Sequence, residues 1–319
     1  MRFSTLFHSF IVLLPLLFFA CTNGNDSETS SISISSKTSS IIKTSSSDNS
    51  TTPSPAPEIN QKKYNFPWLE NYDLANTLAN RISTPPSYER VPAKSNSFGE
   101  WMRHLPLKTG HPKVLLHNGS EKGNQGAHHA VFDIDIGKAD LQQCADAVMR
   151  LRAEYLYGQE SWEAIHFNFT SGDRAAYTQW RAGYRPQIKG SQVNWAKTKS
   201  PNTSYGSFKQ YMIKIFQFAG TYSLSQELKI VDNIADIQAG DVFIHGGFPG
   251  HAVIVVDVAQ NKKTGEKLFL LAQSYMPAQN IQLLKNPMND DLSPWYSTNF
   301  GEELHTPEWS FTKDQLKRF

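Results

Sequence analysis

Gly240-Asp241-Val242-Phe243-Ile244-His245-Gly246-Gly247-Phe248-Pro249-Gly250-His251-Ala252-Val253-Ile254-Val255-Val256-Asp257-Val258 decides how the last third of this chain folds. Its apolar runs are short and β-branched, and three glycines and a proline separate them. Val242 to Ile244 and Ala252 to Val258 therefore read as two strands joined by a tight connection. Asn261 to Gly265 marks the next turn, and Lys267 to Ser274 returns as the hairpin partner of the second strand. His251 opens that strand. Strict alternation puts Val253, Val255 and Asp257 on its face, with Gln273 beside or diagonal to it.

Working upstream, the clearest helix follows Asp140, which reads as its N-cap with Gln143 at the third position of a capping box. Leu141, Cys144, Ala145, Val148, Leu151 and Tyr155 recur at helical spacing, while Arg150, Arg152 and Glu154 lie mostly off that stripe. Cys144 thus falls in the first turns, facing inward. Backbone N–H groups at a helix start favour negative charge, so the spacing predicts a thiol pKa below its ordinary ~8.5. The alternative is a cysteine that only fills core space.

Strands are also expected at Lys113 to His117 and Ala130 to Ile136, and helices at Leu69 to Ile82 and Ser204 to Phe218. The aromatic-rich stretch from Glu160 to Tyr222 reads mostly as core, with a groove for sugars or peptides as its other use. Lys+Arg 31 against Asp+Glu 29 leaves +2, which excludes a strongly basic nucleic-acid binder, and no nucleic-acid partner is expected. Residues 63–319 are expected to form a single globular α+β domain.

Residues 1–20 hold one cation, Arg2, and an apolar run from Phe10 to Ala20, well short of the ~20 residues needed to cross a bilayer. They read as a secretory signal. Cys21 directly after Ala20 resembles a bacterial lipobox, which implies lipidation of Cys21 and attachment to a membrane; ordinary cleavage near Ala20 is the alternative. Thr22, by resemblance to known sorting signals, favours the outer membrane where the cell has one. Of the 30 residues from Ser27 to Ala56, 18 are Ser or Thr, too polar to bury a core, so 21–62 reads as a disordered tether. With Cys21 modified, Cys144 has no partner for a disulfide.

A Cys at a helix start, a Gly-Asp strand, a His opening the next strand and a polar residue on the one after is the chain order of papain-like enzymes. It most resembles the NlpC-type cell-wall peptidases and amidases. That family has Ser-Gly after the cysteine where this chain has Ala145-Asp146. The resemblance implies a papain-like fold, with the Cys-bearing helix packed on an antiparallel sheet bearing the His. It makes Cys144 the nucleophile, His251 its base and Gln273 the group that orients the imidazole. The Cys144 N–H, with Gln142 or Gln143, would stabilise the oxyanion. His128 and His129 are rival bases whose place before the cysteine does not fit that order. No metal or other cofactor is expected, since no His pair sits at metal-binding spacing with an acid.

Arg81-Ile82, Pro85 to Val91, Ser97-Phe98, Trp101 to Leu107, Asp140 to Tyr157, Phe167 to Gly172 and Leu270 to Gln279 resemble the domain of unknown function 4846 of bacterial lipoproteins. That resemblance implies an envelope location and no particular activity. Together these readings predict an envelope-anchored lipoprotein acting as a cysteine amidase or peptidase on peptidoglycan peptides. The alternative is a non-catalytic lipoprotein that binds glycan or a protein partner.

Overall fold

The computed structural model describes residues 64–319, which fall within one compact unit, Glu58–Phe319. The expected export signal 1–20, the expected lipidation at Cys21 and the expected tether 21–62 lie outside the described residues. In chain order the first elements are α1 (Leu78–Arg81), β1 (Tyr88–Arg90), α2 (Phe98–Arg103), β2 (His128–Val131), α3 (Cys144–Gly158), β3 (His166–Asn168), β4 (Arg174–Ala176), α4 (Tyr177–Arg181), β5 (Tyr184–Lys189) and β6 (Gln192–Lys197). Then follow α5 (Tyr205–Phe218), α6 (Thr221–Glu227), β7 (Lys229–Ile230), β8 (Val242–His245), β9 (His251–Asn261), β10 (Lys267–Gln273), β11 (Gln282–Leu284), β12 (Tyr296–Ser297), β13 (Glu303–His305), β14 (Ser310–Thr312) and β15 (Leu316–Arg318).

A nine-stranded antiparallel sheet runs β2-β11-β10-β9-β8-β15-β7, with β1 added on β9 and β12 on β10. β9 is central because it is apolar at both parities and so needs cover on both faces. On one face Ala252, Ile254 and Val256 pack with Val148 and Leu151 of α3 and Phe208 and Tyr211 of α5. On the other, Val253, Val255 and Val258 pack with Phe243, Leu271 and Phe311, the last from the β13–β14 hairpin. The chain is therefore α+β, helices and hairpins laid over one large antiparallel sheet. Phe167, Phe169, Tyr177, Trp180, Phe208 and Tyr211 of the aromatic-rich stretch are buried in the helix-side core.

Several local expectations change. The alternation along β9 breaks where Leu270 pairs with Asp257 but Leu271 with Val255, leaving Val256 as a bulge. Asp257 is thereby turned to the face opposite His251, where Arg90 Nε at 2.6 Å and Arg103 Nε at 2.5 Å bind its carboxylate. Around Lys113 to His117 only isolated bridges form, Leu115 with Glu121 and Leu116 with Gln279. Regular pairing of the next strand stops at Val131. The helix expected from Leu69 shrinks to a 3-10 turn, Leu74–Asn76, and the four residues of α1. Asp73 Oδ1 accepts from Ala75 N–H and Thr77 Oγ1 donates to Leu74 O, side-chain bonds that compete with a continuous helix. The helix expected over Ser204 to Phe218 forms as α5, with Ser204 as its cap, accepting from Ser207 N–H.

α3 departs most from its expected amphipathicity. Arg150 and Glu154 are only 4% and 1% exposed, because α5 covers the side that the sequence pattern leaves polar. Arg150 Nε meets Glu154 Oε1 at 2.6 Å, and its other nitrogens reach Gln142 Oε1 at 2.9 Å and Asp135 Oδ1 at 3.0 Å. Tyr205 donates to Glu154 Oε1 at 2.8 Å. Burial raises the Glu154 carboxyl and Arg150 opposes that shift.

Candidate active site

α3 begins at Cys144 with Gln143 as its cap, so the capping box sits three residues later than expected. Asp146 Oδ2 accepts from Gln143 N–H at 3.1 Å. Asp140 serves the preceding loop instead, accepting from Ala278 N–H at 2.6 Å and from Gln143 Nε2 at 3.0 Å. Ser274 Oγ lies 2.9 Å from both Gln142 O and Gln279 O. These bonds tie the residues before Cys144 to the segment after β10, which fixes where the helix starts relative to the sheet.

His251 is brought to the same place by the glycine-rich turn before β9. That turn lies so close to α6 that a Cβ on Gly250 would stand 2.4 Å from both Gly247 O and Thr221 Oγ1. Cys144 and His251 line one cavity of about 340 Å3, together with Gln143, Tyr275, Trp309 and the Gly247 to Gly250 turn. No hydrogen bond joins thiol and imidazole. The Ala252 N–H, next to His251 in sequence, is among the amides that act on the thiol, which places the sulfur against the start of β9.

A relay of side chains stands behind the imidazole. His251 Nε2 is 2.8 Å from Gln273 Oε1, and Gln273 Nε2 donates to Glu308 Oε2 at 2.6 Å. Glu308 Oε2 also accepts from Lys122 Nζ. A carboxylate paired with Lys122 only accepts, so the Gln273 NH2 group must face Glu308 and its oxygen must face His251. His251 then donates from Nε2 and keeps a lone pair on Nδ1, the arrangement a general base requires. Ring packing against Tyr275, Trp309 and Phe311, at centroid distances of 4.8, 5.4 and 6.0 Å, holds the imidazole plane.

The electrostatics differ from the expectation for a helix-start cysteine. Burial pushes the Cys144 thiol up to about 11, with Asp146 adding to the rise; the N–H groups of Ala145, Ala252 and Cys144 itself oppose it and are outweighed. Burial likewise lowers His251 to about 4, against the opposing pulls of Gln273 and Glu308. The resting pair is therefore neutral thiol and neutral imidazole. With the thiolate scarce at neutral pH, iodoacetamide labelling of the Cys144 peptide should be slow near pH ~7 and accelerate steadily toward pH ~10. A rate already at its plateau by pH ~8 would contradict this ordering of burial over the helix terminus.

Cys144, His251, Gln273 and Gln143 are brought together; Gln142 is not. Its side chain is 1% exposed and committed, accepting from Arg150 and donating to Asp135 O at 3.4 Å, because the loop turns it into the core beneath α3. Gln143 lines the cavity with its Nε2 on Asp140 Oδ1. The rival bases stand elsewhere: His128 Nε2 bonds Pro112 O at 3.0 Å on β2, and neither His128 nor His129 lines the cavity. Glu308 and Lys122 are additions that no local pattern marks, since they lie 57 residues after and 129 before His251 (308 − 251 and 251 − 122).

A cysteine at the start of a central helix and a glutamine-oriented histidine at the start of a sheet strand, sharing one cavity, define an α+β domain with a Cys-His-Gln cleft. The chain belongs to the family of the domain of unknown function 4846, whose family model matches residues 78–318. No curated protein and no solved structure matches it.

Proposed function

We propose that this domain is a papain-like cysteine hydrolase that cleaves amide bonds in the peptide part of peptidoglycan, held at the cell envelope by a lipid on Cys21. The observation that supports it most is the hydrogen bond from His251 to Gln273, which leaves Nδ1 as acceptor in the cavity that Cys144 lines. In the first step the thiol proton passes to His251 Nδ1 as Sγ bonds to the scissile carbonyl carbon. Burial opposes either charge alone; a thiolate and an imidazolium formed together offset each other, so the neutral resting pair is compatible with attack. The carbonyl oxygen takes the electron pair and meets the Cys144 N–H, which makes no bond within the helix, and the Gln143 carboxamide. Collapse breaks the C–N bond as His251 returns the proton to the leaving amine. Water, deprotonated by His251, then opens the thioester to release the acid and restore the thiol.

Phe248, 97% exposed, and Met276, 62% exposed, stand on the cavity wall and offer apolar contact to a peptide's side chains. An envelope tether restricts the enzyme to polymers within its reach, of which the peptide-bearing wall is the amide-rich one. Among the described residues no helix is long and apolar enough to cross a membrane; the attachment at Cys21 rests on the apolar run that ends in Ala20-Cys21. Incubation with purified muropeptides should release new amino groups detectable by mass spectrometry; intact substrate at high enzyme concentration would defeat the assignment. Cys21→Ala should move the protein from the membrane to the soluble fraction with its melting temperature unchanged, and undiminished membrane partition would remove the lipid anchor from the proposal.

A further inference from the structure

A second cavity, of about 310 Å3, opens beside the middle of α3 and shares no lining residue with the Cys144 cavity. Four cations line it, Lys94, Arg103, Arg152 and Arg318, and no Asp or Glu does. Two of them are already neutralised: Arg103 binds Asp257 at 2.5 Å, and Arg318 binds both oxygens of Asp241 at 2.6 and 2.8 Å.

Arg152 is different. Its guanidinium carbon lies 5.2 Å from the Phe98 ring, 5.6 Å from Tyr155 and 5.1 Å from Phe319, so three aromatic rings surround it. Among the described residues neither its side chain nor that of Lys94 makes a hydrogen bond or an ion pair; the Lys94 backbone carbonyl accepts from Ser97 N–H at 3.0 Å. Burial pulls the Arg152 guanidinium below its ordinary value, with only Tyr155 opposing. Arginine stays charged in proteins, so a half-buried guanidinium with no protein partner carries a desolvation cost that an arriving anion would relieve. The planar fork of N–H groups suits two oxygens of one group, and the flanking rings suit an apolar body attached to it.

We infer that this cavity is a second binding site, for a carboxylate or phosphate group carried on a small apolar or aromatic body, with Arg152 as its principal ligand and Lys94 as an auxiliary cation. Arg152 is eight residues beyond Cys144, ~12 Å along the helix axis, so the site is separate from the proposed catalytic cleft and does not depend on it.

The test is calorimetric titration of the folded protein with inorganic phosphate, phenyl phosphate and benzoate at constant ionic strength. At least one ring-bearing anion should bind saturably and raise the melting temperature; preference for phenyl phosphate or for benzoate assigns the group as phosphate or carboxylate. Arg152→Gln should weaken that binding about tenfold or more, as loss of a charge-assisted bond pair implies. Lys94 is exposed, so Lys94→Gln keeps the fold and should weaken binding about threefold, which decides the matter if Arg152→Gln proves unstable. Cys144→Ser should bind unchanged. Failure of all three probes to saturate, or Arg152→Gln and Lys94→Gln binding as tightly as the parent, overturns the assignment.

Discussion

Cys144→Ser is expected to keep the fold and lose peptide cleavage by at least about 10^3-fold, because a hydroxyl in this cavity is a far weaker nucleophile than a thiol and no group is tuned to deprotonate it. His251→Ala should lose a similar factor, and the two changes together should cost little more than either alone, since they act as one unit. Gln273→Leu should cost less, about 10 to 100-fold, by freeing the imidazole to turn and to take the other tautomer. With His251 held to about 4, the acid limb of kcat/KM should fall well below the ordinary imidazole range. Equal cleavage by Cys144→Ser and the parent would remove the nucleophile. The cysteine would then be a packing residue, and the Ser variant should show it by losing about 1 to 3 kcal/mol of stability through a poorly partnered hydroxyl.

The largest effect on stability is expected from Arg150→Leu. It leaves the Glu154 carboxyl, 1% exposed, with only the Tyr205 hydroxyl beside it. Breaking a buried pair on one side costs about 3 to 5 kcal/mol, which is a large part of the ~5 to 15 kcal/mol that holds a domain folded. The double variant Arg150→Leu/Glu154→Leu should recover most of that loss, since two apolar side chains of similar volume need no counterion. Urea midpoints measure both. A single variant within about 1 kcal/mol of the parent would show that water reaches Glu154 and that α3 is less enclosed than the burial indicates.

These two regions differ in how far the sequence disclosed them. Cys144, His251 and Gln273 are legible because each stands at an element boundary that local chemistry marks: a cap, a glycine-rich turn, the end of a hairpin strand. Arg150 and Glu154 are misread because a one-dimensional hydrophobic stripe assumes a helix with one covered side, and α3 has two. The thiol pKa is misread for a related reason. A helix start is visible in sequence, but the burial that outweighs it is contributed by chain far from Cys144.

By itself the amino-acid order determined the hairpin β9–β10, the helix that starts near Cys144, the helix α5 from near Ser204, and one cysteine and one histidine as the candidate reactive groups. Those features follow from side-chain period and turn chemistry within about a dozen residues. The tertiary structure alone decided that a bulge at Val256 turns Asp257 away from His251, that Gln142 faces Arg150, and that Glu308 orders Gln273 and so the tautomer of His251. It also decided that Arg152 is left without a counterion in a cavity. Each depends on groups distant in sequence meeting in a low-dielectric interior, where one hydrogen bond or one unpaired charge outweighs local preference.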